Sequence, residues 1–130
     1  MKKKTLVSVI IPVYNENSTI LELIQKVNNV KFPGVKFQIV VVESNSDDGS
    51  REIVKKFENN KKFILIFQPF ALGKGSAVIE GLKKANGDII IIQDSDLEYN
   101  PNDYEIMLKP IIKNKTDFVL GSRVKNGSFR

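Results

Sequence analysis

The sequence predicts an α/β fold: a three-layer α/β/α sandwich on a mostly parallel sheet. Three observations carry this. Short β-branched runs alternate with stretches of helical spacing along the chain, as they do where crossover helices join parallel strands. The apolar runs, above all Ile89-Ile90-Ile91-Ile92, lack polar alternation, so these strands are covered on both faces. The residues able to do chemistry follow strand ends, and in such sheets ligands sit outside the carboxyl ends of the strands.

Taken in order, Leu6 to Pro12 is a buried first strand. Pro12 has no N–H to donate and is expected to end its ladder. Tyr14-Asn15-Glu16 is the loop that follows. Asn17, Ser18 or Thr19 can cap the next helix, and Thr19 with Glu22 has capping-box spacing. Ile20, Leu23, Ile24 and Val27 recur at helical intervals. Pro33-Gly34 is a turn, and Phe37 to Glu43 is the second strand. The polar loop Ser44 to Gly49 leads into a helix with Ile53, Val54 and Phe57 on one face. Phe63 to Gln68 is the third strand, stopped by Pro69. A glycine-bearing loop enters a helix over about 76–85, ended by Asn86-Gly87. The isoleucine run is the fourth strand. Asn100-Pro101 opens a further helix that Pro110 shortens or kinks. Asp117 to Arg123 reads as a fifth strand with a polar tip, and Val124 to Arg130 shows no clear period. No repeat or linker divides the chain, so residues 1–130 are expected to form a single domain.

Composition narrows the chemistry. At 42% hydrophobic and 27% charged, the 130 residues suit a soluble globular protein. Without cysteine there is no disulfide framework and no thiolate metal site. Without histidine there is no Ser-His-Asp arrangement, and acid–base work falls to Asp, Glu, Lys or Tyr. The net charge of +5 fits a solvated lysine-rich surface, attraction to polyphosphate ligands, or an anionic membrane face. The lysines look scattered and carry no interleaved aromatics, which argues against nucleic acid. The run after Met1-Lys2-Lys3-Lys4 is short and broken by Ser8 and Pro12, unlike a signal peptide. No stretch approaches the roughly 20 apolar residues of a membrane span.

The central chemical feature is Asp94-Ser95-Asp96 at the mouth of the buried isoleucine strand. Two carboxylates so placed repel each other. A hard divalent cation, Mg2+ or Mn2+, relieves the conflict and shares its other positions with substrate phosphates. Glu98 offers a third oxygen ligand. The alternative is that Asp94 or Asp96 caps the helix near Pro101. In Gly73-Lys74-Gly75-Ser76-Ala77, glycines at a helix entry let backbone N–H groups approach an anion, and Lys74 adds a point charge. The order is neither Walker A nor Gly-x-Gly-x-x-Gly, since Val78 stands at the third glycine position. A plain helix entry reads equally well. Glu43 at a strand end can accept from a base or ribose, or be an exposed acid. Tyr14 can stack on a base and Glu16 can bind ribose, with the same ambiguity. Arg123, a fork-shaped cation after a strand, suits a phosphate or a surface salt bridge.

Together these segments resemble the family 2 glycosyltransferases of GT-A fold. The resemblance runs through Val9-Ile10-Ile11-Pro12-Val13-Tyr14-Asn15-Glu16, then Val41 to Ser50, then Gly73-Lys74-Gly75-Ser76-Ala77 and Asp94-Ser95-Asp96. Asp94-Ser95-Asp96-Leu97-Glu98-Tyr99-Asn100-Pro101 and Gly121-Ser122-Arg123 are most similar to the dolichyl- or polyprenyl-phosphate sugar transferases. The resemblance implies inverting, metal-dependent transfer from a nucleoside-diphosphate sugar, of GDP-mannose or UDP-glucose type, to a polyprenyl phosphate or glycan acceptor. It implies a cytoplasmic protein, at the inner face of a membrane. Pro12, Tyr14, Glu16 and Glu43 would line the nucleoside pocket and Lys74 would meet the phosphates. Asp94 would lie at the ribose and diphosphate, and Asp96 with Glu98 would ligate Mg2+ or Mn2+. Arg123 would hold the acceptor phosphate, so the catalytic roles fall to Asp96 and Arg123. Ser44 departs from the pattern, which has a second acid there. Family domains are also longer, so the chain is expected to be the nucleotide-sugar-binding part of an incomplete domain. A non-catalytic binding half-domain or pseudoenzyme is the competing expectation. A metal-dependent phosphohydrolase would need an aspartate nucleophile where Pro12-Val13-Tyr14 stands.

Overall fold

A computed structural model describes residues 4–95 continuously, then 101–106, 108–109 and short strands at 118–119, 124–125 and 128–129. The strands are β1 (Thr5–Val13), β2 (Val35–Glu43), β3 (Phe63–Phe67), β4 (Ile89–Ile92) and β5 (Phe118–Val119), and they form one sheet. Its order is β3-β2-β1-β4-β5 and every pairing is parallel. Among the described residues the helices are α1 (Ile20–Asn28), α2 (Ser50–Lys55) and α3 (Lys74–Lys84), with a 3-10 turn at Pro101–Asp103 followed by helical residues at 104–106 and 108–109. The order reverses at β1, so β1 and β4 flank the switch point where a crevice opens in sheets of this kind.

Period-two alternation along β1 sorts side chains between the two helical layers. Val7, Val9, Ile11 and Val13 face a large core with Ile20, Leu23, Ile24 and Val27 of α1 and Val54 of α2. A nine-residue helix such as α1 is too short to hold itself in water. Burying these four side chains, at about 1.5–3 kcal/mol each, is what stabilises it. Ile10 faces the other way, onto Val40, Val42 and Ala77 of α3. There α3 lies close: a Cβ on Gly81 would sit 2.7 Å from Ile10 Cγ2.

Four expectations change. Pro12 does not end β1, which runs through Val13. The Ser44 amide donates to the Val13 carbonyl and the Gln93 amide to that of Ile10. Odd residues of this stretch therefore address β2 and even ones address β4. The N–H that Pro12 lacks belongs to the β4 side alone. There pairing stops at Ile10↔Ile92, while the β2 side continues to Val13↔Glu43. The proline lets β4 part from β1 without breaking the sheet.

Thr19 is the N-cap position of α1, yet no capping box forms. Its hydroxyl donates to the Ser95 carbonyl at 3.0 Å, and Glu22 pairs with Lys26 instead. The helix entered at Ser76 in the sequence reading starts at Lys74, because Gly73 takes φ +94° and absorbs the turn. The C-terminal segment read as aperiodic contains an antiparallel pair, β6 (Val124–Lys125) with β7 (Ser128–Phe129). Strands of two residues are too short to show a period. Of the fifth strand, Phe118 and Val119 pair with Ile90 and Ile91; Asn100, Pro110 and Arg123 lie outside the described residues. No helix among the described residues is long and apolar enough to cross a membrane.

Candidate functional site

At the carboxyl rim, beside the switch point, lies a cavity of about 510 Å³. The end of β1 and its loop contribute Pro12, Val13, Tyr14 and Glu16, and the end of β2 contributes Ser44. Gly73, Lys74 and Ala77 bring the first turn of α3, and Asp94 and Ser95 follow β4. Five residues expected at a site, Pro12, Tyr14, Glu16, Lys74 and Asp94, thus meet on one wall-and-floor arrangement.

Tyr14 stands half exposed at the mouth, a ring free to stack on a planar ligand. Opposite it, Lys74 Nζ forms an ion pair with Asp94 Oδ1. The first turn of α3 contains no acidic residue. Its open N–H groups and the positive end of the helix dipole meet the cavity beside Lys74, a setting for an anion. The oxygen-rich lining, in a chain without cysteine or histidine, suits a hard cation and no softer metal. Asp94 already takes a cationic partner here. Asp96 and Glu98, the other carboxylates of the predicted metal set, lie outside the described residues. Among the described residues no three acidic, histidine or cysteine side chains come together.

Glu43 is not brought to the cavity surface. It is 0% exposed, and its carboxylate accepts from Arg51 Nη1 at 3.1 Å and from the Ser46 amide at 2.9 Å. Arg51 in turn lies over the Phe67 ring, 4.9 Å from its centroid. Ser44, the departure from the two-acid pattern, follows β2 and reaches the cavity, and its hydroxyl donates to Gln68 Oε1 at 2.7 Å. Gln68 is buried and donates onward to Ser76 and Glu80 of α3, so β2, β3 and α3 are tied together beneath the lining.

The loops that follow β1 and β2 are stapled to each other. Asn15 N–H donates to Ser46 Oγ, Glu16 N–H to Ser50 Oγ and Asn17 N–H to Asp48 Oδ2. Desolvation alone would push the Asp48 carboxyl up, but hydrogen bonds from the Ser50 hydroxyl and amide and from the Asn17 amide outweigh it. Asp48 therefore lies below its ordinary value. Asn15 and Asn45 take positive φ, 51° and 59°, a conformation asparagine tolerates better than most.

A third set of groups fixes the acidic loop. Tyr104 is buried, which pushes its phenol well above the ordinary tyrosine value and keeps it a donor. It donates to Gln93 Oε1 at 2.7 Å, immediately before Asp94. Thr19 holds the Ser95 carbonyl immediately after it. Sequence reading missed Thr19, Ser44, Gln68, Gln93 and Tyr104 as supports of the site. Their only signal was position, since each polar group next to an apolar run must find a partner once buried.

The sequence model of glycosyl transferase family 2 matches residues 8–130. The chain is 37% identical over 123 residues to a dolichol-phosphate mannosyltransferase of Pyrococcus furiosus, covering 93% of this chain and 34% of that protein. It is 33% identical over 137 residues to a UDP-N-acetylglucosamine–dolichyl-phosphate N-acetylglucosaminyltransferase of Methanococcus voltae, covering 93% and 53%. Among solved structures, a mannosyltransferase from Pyrobaculum calidifontis in complex with GDP-Man and Mn2+ matches with TM-score 0.70 and 28% identity. That match covers 89% of this chain and 34% of the other. The chain thus spans about a third to a half of the length of these curated relatives. The fold it shares with its structural neighbours is the expected GT-A architecture. The sheet order, the cavity at its switch point and the match over nearly all its residues place the chain in glycosyl transferase family 2.

Proposed function

We propose that residues 1–130 are the nucleotide-sugar-binding part of one glycosyltransferase domain. Its enzyme moves a sugar, with inversion, from a nucleoside-diphosphate sugar to polyprenyl phosphate at the cytoplasmic membrane face. The observation that carries this is the Lys74–Asp94 ion pair in the cavity lining at the first turn of α3. A cation and an anion set against each other in one crevice suit a ligand that carries both signs, a diphosphate with its metal. The relatives named for dolichyl-phosphate transfer support the acceptor, and those named with GDP-Man and UDP-N-acetylglucosamine support the donor class.

In this reading Pro12 walls the nucleoside, Tyr14 stacks on its base and Glu16 accepts from ribose. Glu43 acts from beneath, holding the Ser46 amide directly while paired with Arg51. Asp94, Asp96 and Glu98 would hold Mg2+ or Mn2+, which when bound supplies countercharge to the leaving diphosphate. Arg123 would grip the acceptor phosphate. Such an acceptor is ionised near neutral pH, since its second pKa is about 6. No histidine is needed to deprotonate it, and none exists. The acceptor oxygen attacks the anomeric carbon from the face opposite the departing diphosphate, whose charge Lys74 and the α3 N-terminus help to bear.

The ion pair also makes Lys74 an exchangeable counterion. Without ligand it neutralises Asp94; with donor it turns to the diphosphate and releases the carboxylate. Lys74→Gln should therefore move two affinities in opposite directions. Mn2+ alone binds more tightly, because Asp94 no longer gives up an ion pair. UDP or GDP binds more weakly by roughly tenfold or more, since a charge-assisted hydrogen bond worth about 1.5–3 kcal/mol is lost. Calorimetry measures both, and a thermal-shift panel of UDP- and GDP-sugars with and without Mn2+ identifies the donor. Changes of the same sign in both affinities contradict the exchange. Transfer or donor hydrolysis by this chain alone would exclude the non-catalytic half-domain reading.

A further inference from the structure

A second and larger cavity, about 760 Å³, opens at the other end of the same strands. It is built where β1, β2 and β3 begin, and Lys4, Lys31, Lys36, Lys61 and Lys62 all line it. No acidic residue is part of its lining. Among the described residues the ion pairs are Lys26–Glu22, Arg51–Glu43, Lys74–Asp94 and Lys109–Glu105. None of the five lysines has a carboxylate partner among these residues. Lys62 is half-buried and its ammonium donates to the Asn28 carbonyl at 2.9 Å. Burial and then the neighbouring Lys31 charge pull Lys62 below the ordinary lysine value. Phe32 and the buried Phe37 supply an apolar wall between the cations.

Positive charge of one sign in a concave site with low-dielectric walls focuses the field and concentrates anions. A scattered, solvated lysine surface would instead alternate with acids or stand convex. Leu6 lines this cavity and Pro12 the other, six residues apart on β1, which sets the two linings roughly 20 Å apart. That is more than twice the Debye length of about 8 Å at physiological salt. This charge therefore does not serve the diphosphate at Asp94.

We propose that this cavity is a second, separate site that binds a phosphate-bearing small molecule, its phosphates on Lys31, Lys36, Lys61 and Lys62 and its organic part against Phe32 and Phe37. The shared chemistry with a lipid headgroup is the phosphate, and the test separates the two sources. Isotope-labelled protein is titrated with tripolyphosphate at physiological salt in EDTA, and amide shifts are followed by NMR. Saturable shifts confined to residues 30–38 and 61–62 are expected, and Lys31→Gln/Lys62→Gln should weaken binding roughly tenfold or more. Lys36→Gln/Lys61→Gln, which removes no side-chain hydrogen bond of the fold, repeats the test where the first variant folds poorly. Shifts that do not saturate, or that spread over all lysines, overturn the site. ATP is expected to bind more tightly than tripolyphosphate at residues 30–38, through the apolar wall. Retention on phosphatidylglycerol vesicles that both double variants abolish, without saturable tripolyphosphate binding, would make this a bilayer contact and overturn the small-molecule assignment.

Discussion

Asp94→Asn is expected to abolish the Mn2+-dependent part of UDP or GDP binding while leaving the metal-free part intact or stronger. Asparagine keeps the shape of the side chain and removes its charge, so the cation loses a carboxylate ligand. Loss of about 3 kcal/mol, roughly a hundredfold in affinity, follows from the several kcal/mol a bound cation contributes at such a site. In EDTA the sign changes, because Lys74 is no longer held by Asp94 and is available to the diphosphate. Fold stability should hardly move, since Lys74 is half exposed and rehydrates when released. Calorimetry in Mn2+ and in EDTA reads both arms, and Asp96→Asn should repeat the Mn2+ result. A variant with wild-type affinity in Mn2+ removes Asp94 from the metal set.

Arg51→Ala is expected to destabilise the fold by about 3 kcal/mol, read as a lower urea midpoint with little change in slope. The substitution leaves the Glu43 carboxylate at 0% exposure with one backbone donor, the Ser46 amide. It also removes the guanidinium from the Phe67 ring and from the Gln68 carbonyl. The cost lies mostly in the stranded charge. Adding Glu43→Gln should therefore recover a large part of it, a coupling of the two sites that independent residues would not show. Simple addition of the two losses would mean that the pair carries no such coupling. Because Glu43 also holds Ser46, Arg51→Ala should in addition loosen the loop that meets Tyr14-Asn15-Glu16.

The sheet was legible because its signal is local. Nine-residue β-branched runs and the 3-4 spacing of Ile20, Leu23, Ile24 and Val27 state their partners' kind without naming the partners. The convergence of Tyr14, Glu16, Lys74 and Asp94 followed from topology, since parallel strands send all their C-terminal loops to one rim. What stayed hidden was choice among long-range partners. Thr19 had a cap to make three residues away and instead took a carbonyl 76 residues on. Glu43 read as a ligand acceptor or an exposed strand-end acid, because nothing nearby marked Arg51, eight residues later, as its counterion. Pro12 was read as a full stop, but a strand between two neighbours can lose one ladder and keep the other. The lysines of the second cavity looked scattered because they come from three stretches of sequence that meet only in the fold. Asp96, Glu98 and Arg123 remain proposals from sequence, outside the described residues.

Paramagnetic broadening by Mn2+ tests the central claim most directly, because it reports where the ion sits without relying on turnover. With saturating UDP or GDP and substoichiometric Mn2+, the amide signals of Tyr14, Gly73, Lys74 and Ser95 should broaden first. In a Lys31→Gln/Lys62→Gln background, which disables the second cavity, those of residues 31–38 at the opposite rim should stay sharp, and Asp94→Asn should remove the broadening at the first. Broadening centred away from the cavity between β1 and β4, or unchanged in Asp94→Asn, would contradict a metal–diphosphate site at this switch point.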